Sequence, residues 1–380
     1  MTVPFRQFVL KVHSRCNLAC DYCYVYEMAD QSWRSQPGRM PDEVVEDALA
    51  RIAEHAAAHR LPSVRLVLHG GEPLLAGPRF LAGLVARARE VVPAEVSVGM
   101  QTNGVLLDDR SLSILRANGV RIGVSLDGDA AATARHRRFA DGRSSHAAVT
   151  EALRRLRRAP ESYAGILCTI DLAADPVRCY EALLEFAPPQ LDFLLPHGTW
   201  SAPPPGRPDD GSTPYADWLL AVFERWYGAR RPETSVRLFT EMIQLLLGGV
   251  GGFEGLGLRP STVIVIGTDG GIRQLDSLSA AFEGSGDLGL NVRDDPFDAA
   301  LRHPLTVARQ AGAAALARTC RSCRLVRVCG GGLFTHRYDG RVRHGDPFAH
   351  RSVYCPDLTK LISEVDRRLR HDLSTARCPG

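Results

Sequence analysis

Short apolar segments alternate with helical segments through the first half of the 380-residue chain, and this alternation constrains the fold more than any other feature. The apolar segments are rich in β-branched residues, whereas the segments between them repeat apolar residues at helical spacing. Strands that alternate with helices form a parallel sheet, either open or curled into part of a barrel. The predicted strands cover residues 8–13, 64–70, 95–101, 120–128, 164–170 and 191–196.

The predicted fold class is therefore α/β, a partial (β/α)6 TIM barrel with a small C-terminal extension. We expect the loops after residues 13, 69, 101, 126 and 195 to surround one site, because active sites lie beyond the carboxyl ends of parallel strands. Residues 262–277 predict a β-hairpin that turns at Asp269-Gly270-Gly271, and a last helix is predicted from about Pro356 to Leu373. The predicted domains are a barrel (1–198), a linker with bridging helices (199–255) and the extension (256–380).

The composition limits the kinds of binding partner that we expect for this protein. The net charge of +3 gives no sign of nucleic-acid binding, and no apolar run reaches the roughly 18 residues of a membrane span. Ten cysteines without an export signal favour a reducing compartment and metal binding over disulfides. We predict a cytoplasmic protein that binds neither nucleic acid nor membrane. Lys11 and Lys360 are the only lysines, and we interpret the excess of arginine as compositional bias.

Three cysteines follow the first predicted strand in the stretch "HSRCNLACDYCYVYE". Structural zinc sites and most iron–sulfur clusters take four protein ligands. Cys16, Cys20 and Cys23 can hold three irons of a four-iron cluster and leave the fourth iron without a protein ligand. A catalytic metal keeps such a position open for substrate or cofactor.

With Tyr22 before its third cysteine, this motif resembles that of the radical S-adenosylmethionine (SAM) enzymes. The resemblance implies a [4Fe-4S] cluster that binds SAM at the open iron. It also implies a 5′-deoxyadenosyl radical, made by reductive cleavage of SAM, that abstracts hydrogen from the substrate. A flavodoxin or ferredoxin type of protein would supply the electron.

Four further motifs occur at strand ends in the order of that family: "HGGEP" (69–73), "QTNG" (101–104), "VSLDG" (124–128) and "LLP" (194–196). Each alone could be an ordinary turn. The resemblance implies that Glu72 pairs with the methionyl ammonium and that Leu195 meets the adenine. Arg137 contacts either the SAM carboxylate or the protein surface. The predicted SAM-binding residues are Tyr22, Gly70, Gly71, Glu72, Pro73, Thr102, Asn103, Ser125, Asp127, Arg137 and Leu195.

A second cysteine group resembles the SPASM extension of radical SAM peptide maturases. A full extension holds two auxiliary clusters, but Leu275 and Leu333 occupy two ligand positions of the first one, and the hairpin contains no cysteine. We predict one auxiliary [4Fe-4S] cluster, with a four-cysteine zinc site as the alternative. The predicted ligands of the auxiliary cluster are Cys320, Cys323, Cys329 and Cys355. Of the other cysteines, Cys168 and Cys179 are predicted to be buried thiols and Cys378 a free thiol of the tail.

Asp276 follows Leu275, at the position of the proposed proton acceptor in sulfatase-maturing relatives; the alternative is that it caps the hairpin. His69 is a second candidate for proton transfer. The finer resemblance, carried by "LLPHGTW", "TDGGIRQLDSL" and "CRSCRLVRVCGGGLFTHRY", is to the FxsB-like maturases that join an aromatic ring to a Cβ atom and form a cyclophane.

The expected substrate is a ribosomally made precursor peptide, held between the barrel and the extension. Alternative reactions on the same scaffold are thioether formation, epimerisation, decarboxylation and sulfatase-type oxidation. An alternative of a different class is a non-catalytic iron–sulfur scaffold that binds peptides.

Overall fold

The structure is a computed structural model that describes residues 2–207, 210–252 and 254–376. The strands are β1 (Gln7–His13), β2 (Ser63–Gly70), β3 (Glu95–Thr102), β4 (Val120–Ser125), β5 (Tyr163–Thr169), β6 (Gln190–Leu194), β7 (Ser235–Val236), β8 (Val263–Ile266), β9 (Gly271–Arg273) and β10 (Asp287–Asn291). The predicted tail thiol, Cys378, lies outside the described residues.

The α-helices cover both the barrel and the extension. They are α1 (Asp42–Ala58), α2 (Pro78–Val91), α3 (Asp109–Ala117), α4 (Ala130–His136), α5 (His146–Arg157), α6 (Pro176–Leu184), α7 (Pro214–Tyr227), α8 (Arg237–Leu246), α9 (Phe297–Arg302), α10 (Pro304–Gln310), α11 (Arg318–Arg321), α12 (Val326–Cys329) and α13 (Cys355–Ala376).

The strands form one sheet in the order β10-β9-β8-β1-β2-β3-β4-β5-β6-β7. Neighbouring strands from β1 to β7 are parallel, which confirms the predicted α/β partial barrel. The strands are buried because helices cover their outer faces; in β1, Phe8, Leu10 and Val12 are all 1% exposed or less. This arrangement brings the carboxyl ends of β1 to β6 to one edge.

The predicted hairpin forms from β8 and β9, which are antiparallel. It also extends the barrel sheet, because β8 pairs in parallel with β1, with Val265 opposite Val9. This pairing places Asp276, three residues beyond β9, next to β1. The sheet thus runs across the predicted boundary at residue 256, and the division into domains remains a prediction.

Both ends of α3 carry residues that favour a helix end. Asp108 accepts a hydrogen bond from the Ser111 amide at 2.7 Å and caps the start of the helix. Gly119 follows its end with a φ of 62°. Cys168 and Cys179 are buried, as predicted. Within the described ranges, no helix is both long and apolar enough to cross a membrane.

Candidate active site

The loop after β1 carries the first cysteine group at the carboxyl edge of the sheet. Cys16, Cys20 and Cys23 line a cavity of ≈ 190 Å³, which we call the cysteine-loop cavity. Arg15 fixes the start of this loop, because its guanidinium donates hydrogen bonds to the Trp33 carbonyl at 2.8 Å and the Ser14 hydroxyl at 2.7 Å. A short segment therefore presents three thiols to one space.

The backbone of Gly70 and Gly71 packs directly against the same loop. The Gly71 amide donates to the His13 carbonyl at 2.8 Å. A Cβ atom on Gly71 would lie 1.8 Å from the Tyr26 hydroxyl oxygen, and one on Gly70 would lie 2.2 Å from the His13 carbonyl oxygen. Only glycine fits at either position, so this close approach explains the Gly-Gly pair.

The ends of β3 and β4 supply amide and hydroxyl groups to the cysteine-loop cavity. Asn103 donates through Nδ2 to the Asn17 side-chain oxygen at 2.7 Å and to the Cys16 sulfur at 3.6 Å. Gln101 donates through Nε2 to the Ser125 hydroxyl at 2.9 Å. Sequence reasoning missed Gln101, although it opens the quoted "QTNG" motif. The predicted SAM-binding residues in the cavity wall are Tyr22, Gly70, Gly71, Thr102, Asn103, Ser125, Arg137 and Leu195.

Glu72 and Pro73 lie behind this wall. Glu72 is fully buried, and its carboxylate accepts hydrogen bonds from the Leu74 amide (2.9 Å), the Thr102 hydroxyl (2.7 Å) and the Asn103 amide (2.8 Å). Burial raises the pKa of Glu72 to about 7, against the opposing effect of these three donors. The placement differs from the prediction that Glu72 faces the ammonium of SAM: its carboxylate joins the ends of β2 and β3.

Asp127 also lies behind the cavity, at the centre of a buried network. It accepts hydrogen bonds from Arg137 Nε at 2.9 Å, from the Thr169 amide at 3.0 Å and from the Tyr22 hydroxyl. Burial raises the pKa of Tyr22, so its hydroxyl stays protonated and donates. Asp127 therefore positions Tyr22 and Arg137, which line the cavity, and does not itself face it. Arg137 is 9% exposed, so its predicted alternative position at the surface is wrong.

The chemistry of the cysteines fits iron–sulfur clusters at both groups. The described cysteines form no disulfide. In a tetrahedral zinc site the sulfur atoms lie about 3.8 Å apart, given a Zn–S distance of about 2.3 Å. Among the described residues, no three cysteine sulfurs lie within 4.8 Å of one another. Burial raises the pKa of Cys16 to about 11 and of Cys20 to about 12, so these thiolates need the positive charge of a metal.

The second group consists of Cys320, Cys323 and Cys329 around α11 and α12, with Cys355 at the start of α13. Burial, together with the charges of the other three cysteines, raises the pKa of Cys329 to about 11. The "GGG" turn after Cys329 is held by Arg337, which donates to the carbonyls of residues 330, 331 and 332 at 2.8, 3.1 and 2.9 Å.

The two predicted catalytic residues, Asp276 and His69, lie side by side with Lys11, to which the sequence analysis gave no role. Lys11 Nζ donates to Asp276 Oδ2 at 2.7 Å, and His69 Nδ1 lies 3.6 Å from the same oxygen. Burial alone would raise the pKa of Asp276, but the charges of Lys11 and His69 outweigh it and leave the pKa below its usual value. Burial and Lys11 lower the pKa of His69 to about 4. At neutral pH Asp276 is ionised and His69 is neutral.

Asp276 lines a smaller cavity of ≈ 50 Å³ that shares Val25 and Gly71 with the cysteine-loop cavity. His69 lines the cysteine-loop cavity itself. The Asp276 carboxylate binds Lys11 of β1, so the alternative role as a hairpin cap does not describe its contacts. An ionised carboxylate thus lies at the edge of the space that the three thiols enclose.

Comparison with known proteins agrees with this geometry. Residues 10–170 match the family model described as the radical SAM superfamily. A serine-type anaerobic sulfatase-maturating enzyme of Klebsiella aerogenes is 26% identical over 343 residues, which cover 88% of this chain and 80% of the relative. A cysteine-type enzyme of Clostridium perfringens is 25% identical over 284 residues, covering 72% and 74%.

The fold also matches a solved structure described as native anSMEcpe with bound AdoMet and Cp18Cys peptide. The TM-score is 0.80 at 21% sequence identity, and the match covers 98% of this chain and 100% of the other. These matches support a SAM-binding [4Fe-4S] cluster and an auxiliary [4Fe-4S] cluster, and we propose that the groups of three and four cysteines hold them. The protein is a radical SAM enzyme related to the enzymes that mature sulfatases, and residues 10–170 are the part that matches the superfamily.

Proposed function

We propose that this enzyme oxidises a side chain of a peptide at its Cβ atom and that Asp276 accepts the proton released. The observation that carries the proposal is the Asp276 carboxylate, ionised and held 2.7 Å from Lys11 Nζ, at the edge of the cysteine-loop cavity. When bound, SAM and its cluster supply the radical that removes a hydrogen atom, and the auxiliary cluster supplies an acceptor for one electron.

The chain's own residues prepare the proton transfer. Lys11 orients the carboxylate and keeps it charged, so that it is a base at neutral pH. His69 stays neutral beside it and so adds no second positive charge. Gly71 and Val25 lie between the two cavities, so a substrate atom in the cysteine-loop cavity has a short path to this base.

The reaction best supported by the comparisons is sulfatase-type oxidation of a serine or cysteine. The relatives with serine-type and cysteine-type names match most of the chain. A serine would lose one hydrogen atom from Cβ, then the hydroxyl proton to Asp276 and one electron, which leaves an aldehyde. A cysteine would give a thioaldehyde in the same way, which water converts to the aldehyde with release of hydrogen sulfide.

Cyclophane formation is the second candidate, and a different observation favours it. Leu275 and Leu333, which replace two expected cluster ligands, line an apolar cavity beside Asp276. There the Cβ radical would add to an aromatic ring, after which the ring carbon loses its proton to Asp276 and the ring loses one electron. The peptide again loses two hydrogens, but a new C–C bond joins two residues.

The substrate in either case is a segment of a ribosomal precursor peptide or protein, as the peptide bound to the structural relative supports. We further propose an external flavodoxin or ferredoxin as electron donor, and a cytoplasmic location.

The test is co-expression with the short open reading frame nearest the gene, followed by tandem mass spectrometry. An aldehyde that reacts with a hydrazine at a former serine or cysteine supports the first reaction. Loss of two hydrogens within a fragment that resists sequencing and contains an aromatic residue supports the second. An unmodified peptide, with no 5′-deoxyadenosine from the anaerobically reconstituted enzyme, would refute both.

Replacing the base tests its role separately. Asp276→Asn should lower product formation by about 100-fold or more, while 5′-deoxyadenosine still forms, because a missing general base slows only the later proton transfer. Asp294→Asn, an exposed aspartate near β10, is the matched control and should leave product formation unchanged. Undiminished product from Asp276→Asn would exclude this aspartate as the base.

A further inference from the structure

A large cavity is lined by residues of β1, β6 and β8 and of the helices α7, α8 and α13. Its volume is ≈ 430 Å³, larger than the ≈ 190 Å³ of the cysteine-loop cavity. Its lining includes Val9 of β1, Phe193 of β6, Leu238 of α8 and Leu361 of α13. We call this space the seam cavity.

The wall of the seam cavity is mostly aliphatic on the side that faces the cysteine loop. Leu195, Leu275 and Leu333 line it and are only partly buried, so their side chains present apolar surface to the cavity. An apolar cavity of about 150 Å³ is enough to bind benzene. The seam cavity therefore has room for an aromatic ring together with the backbone atoms next to it.

Two ring nitrogens in this wall, His336 Nε2 and His197 Nδ1, have no hydrogen-bond partner among the described residues. His336 is 4% exposed, lines the cavity, and its Nε2 makes no hydrogen bond with any described residue. Buried polar atoms are almost always paired, so an unpaired one in a cavity wall marks the place where a ligand donates or accepts. A phenol or indole carries one such group on an otherwise apolar body.

The position of the seam cavity connects it to the reaction. Leu194, Leu195 and His197 line both the seam cavity and the cysteine-loop cavity. Leu275 and Ser277, the neighbours of Asp276, also line the seam cavity. A side chain that enters from the cysteine-loop cavity would therefore lie next to the proposed base.

We propose that the seam cavity binds an aromatic side chain of the peptide substrate, with Leu275 and Leu333 packing on the ring and His336 pairing with its polar group. This inference rests on the proposed function, because it takes the substrate to be a peptide. The two leucines make the cavity apolar at the positions where the resemblance predicts cysteine ligands, so the space serves substrate in place of a cluster.

The test measures binding of p-cresol to the reconstituted holoenzyme by anaerobic equilibrium dialysis, without peptide or turnover. One equivalent of p-cresol should bind. Leu333→Trp, which fills the cavity, should weaken binding by about tenfold or more, and Leu275→Phe should weaken it in the same direction. Leu247→Trp is the matched control, because Leu247 is 63% exposed at the end of α8. This variant should bind p-cresol as the wild type does.

A second comparison tests the role of His336. Toluene has the same shape as p-cresol but no hydroxyl, so the wild type should prefer p-cresol by about fivefold. His336→Phe should abolish that preference while still binding toluene. No binding of p-cresol, or binding that neither Leu333→Trp nor Leu275→Phe weakens, would overturn the proposal.

An experiment with the peptide substrate distinguishes a failure of this inference from a failure of the proposed function. Replacing the aromatic residue of the modified segment with alanine should raise KM in the wild type and have little effect in Leu333→Trp. A peptide that is modified with the same KM after that replacement would overturn the inference and leave the proposed function intact. Binding of p-cresol with no peptide ever modified would instead refute the proposed function.

Discussion

The two cysteine groups of this enzyme differ in the number of thiols and in what surrounds them. Cys16, Cys20 and Cys23 line a cavity of ≈ 190 Å³, into which side chains from several strands project. The second group supplies four thiols, and its "GGG" turn is closed by hydrogen bonds from Arg337. We propose that the first group forms a metal site that can take a further ligand, and that the second forms a site whose ligands all come from the protein.

The largest expected difference comes from removing one thiol from each group. Cys16→Ala should lower SAM cleavage by about three orders of magnitude, because the cluster that binds and reduces SAM is lost. Cys355→Ala should still cleave SAM but give no oxidised peptide. Both should lose about half of the roughly eight iron atoms per chain. Parallel assays of iron, 5′-deoxyadenosine and product test this, and loss of SAM cleavage in Cys355→Ala would contradict the division of roles.

Substituting one glycine beside each cysteine group should disturb that site and leave the other intact, without removing a predicted metal ligand. Gly71→Ala places a Cβ 1.8 Å from the Tyr26 hydroxyl oxygen, and Gly330→Ala places one 1.7 Å from the Gly257 carbonyl oxygen. We expect about half of the iron to be lost in each case, with SAM cleavage falling only in Gly71→Ala. The control is Gly83→Ala in α2, where a Cβ meets nothing within 4 Å. Wild-type iron content in Gly71→Ala would show that the close approach is not required.

Substituting Lys11, with Lys360 as the matched control, tests the role of Asp276 as the base. Lys11→Met removes the main charge that holds the pKa of Asp276 down, so protonation begins at higher pH and the acid limb of product formation should move up by about one unit. The yield of product per 5′-deoxyadenosine should therefore fall near pH 5 and recover at higher pH. Lys360→Met, which removes an exposed ion pair with Asp217, should leave the profile unchanged. Superimposable profiles for all three proteins would contradict the role of Lys11.

The smallest effect is expected at the hydroxyl of Ser125. Ser125→Ala removes the acceptor of the Gln101 hydrogen bond in the cavity wall and should raise the KM for SAM by about fivefold. Ser97→Ala, in the same layer of the sheet but far from the cysteines, is the control. A KM unchanged by Ser125→Ala would remove this residue from the predicted SAM contacts.

Local patterns predicted most of the barrel because its strands are buried on both faces and read as continuous apolar runs. The two-residue strand β7 was missed, since Ser235 and Val236 were read as part of a helix and are too short to show periodicity. The pairing of β8 with β1 was also not predicted, because pairing between residues 256 positions apart leaves no local signal.

Contacts between distant parts of the chain also explain which features of the candidate site were not predicted. The cysteines and glycines were found because their spacing lies within a few residues. Lys11 was given no role, because its contact with Asp276 forms only when β8 and β9 bring Asp276 to β1. Asp127 was expected to face SAM, but three donors from separate segments enclose it. Networks of this kind depend on tertiary contacts that a single sequence does not display.

The most direct test of the difference between the two groups is electron paramagnetic resonance of two reduced variants, recorded with and without SAM. Cys355→Ala keeps only the cluster of the three-cysteine loop, and SAM should change its spectrum because SAM occupies the open iron. Cys16→Ala keeps only the auxiliary cluster, and its spectrum should stay the same. A spectrum of Cys16→Ala that changes with SAM, or one of Cys355→Ala that does not, would contradict the account.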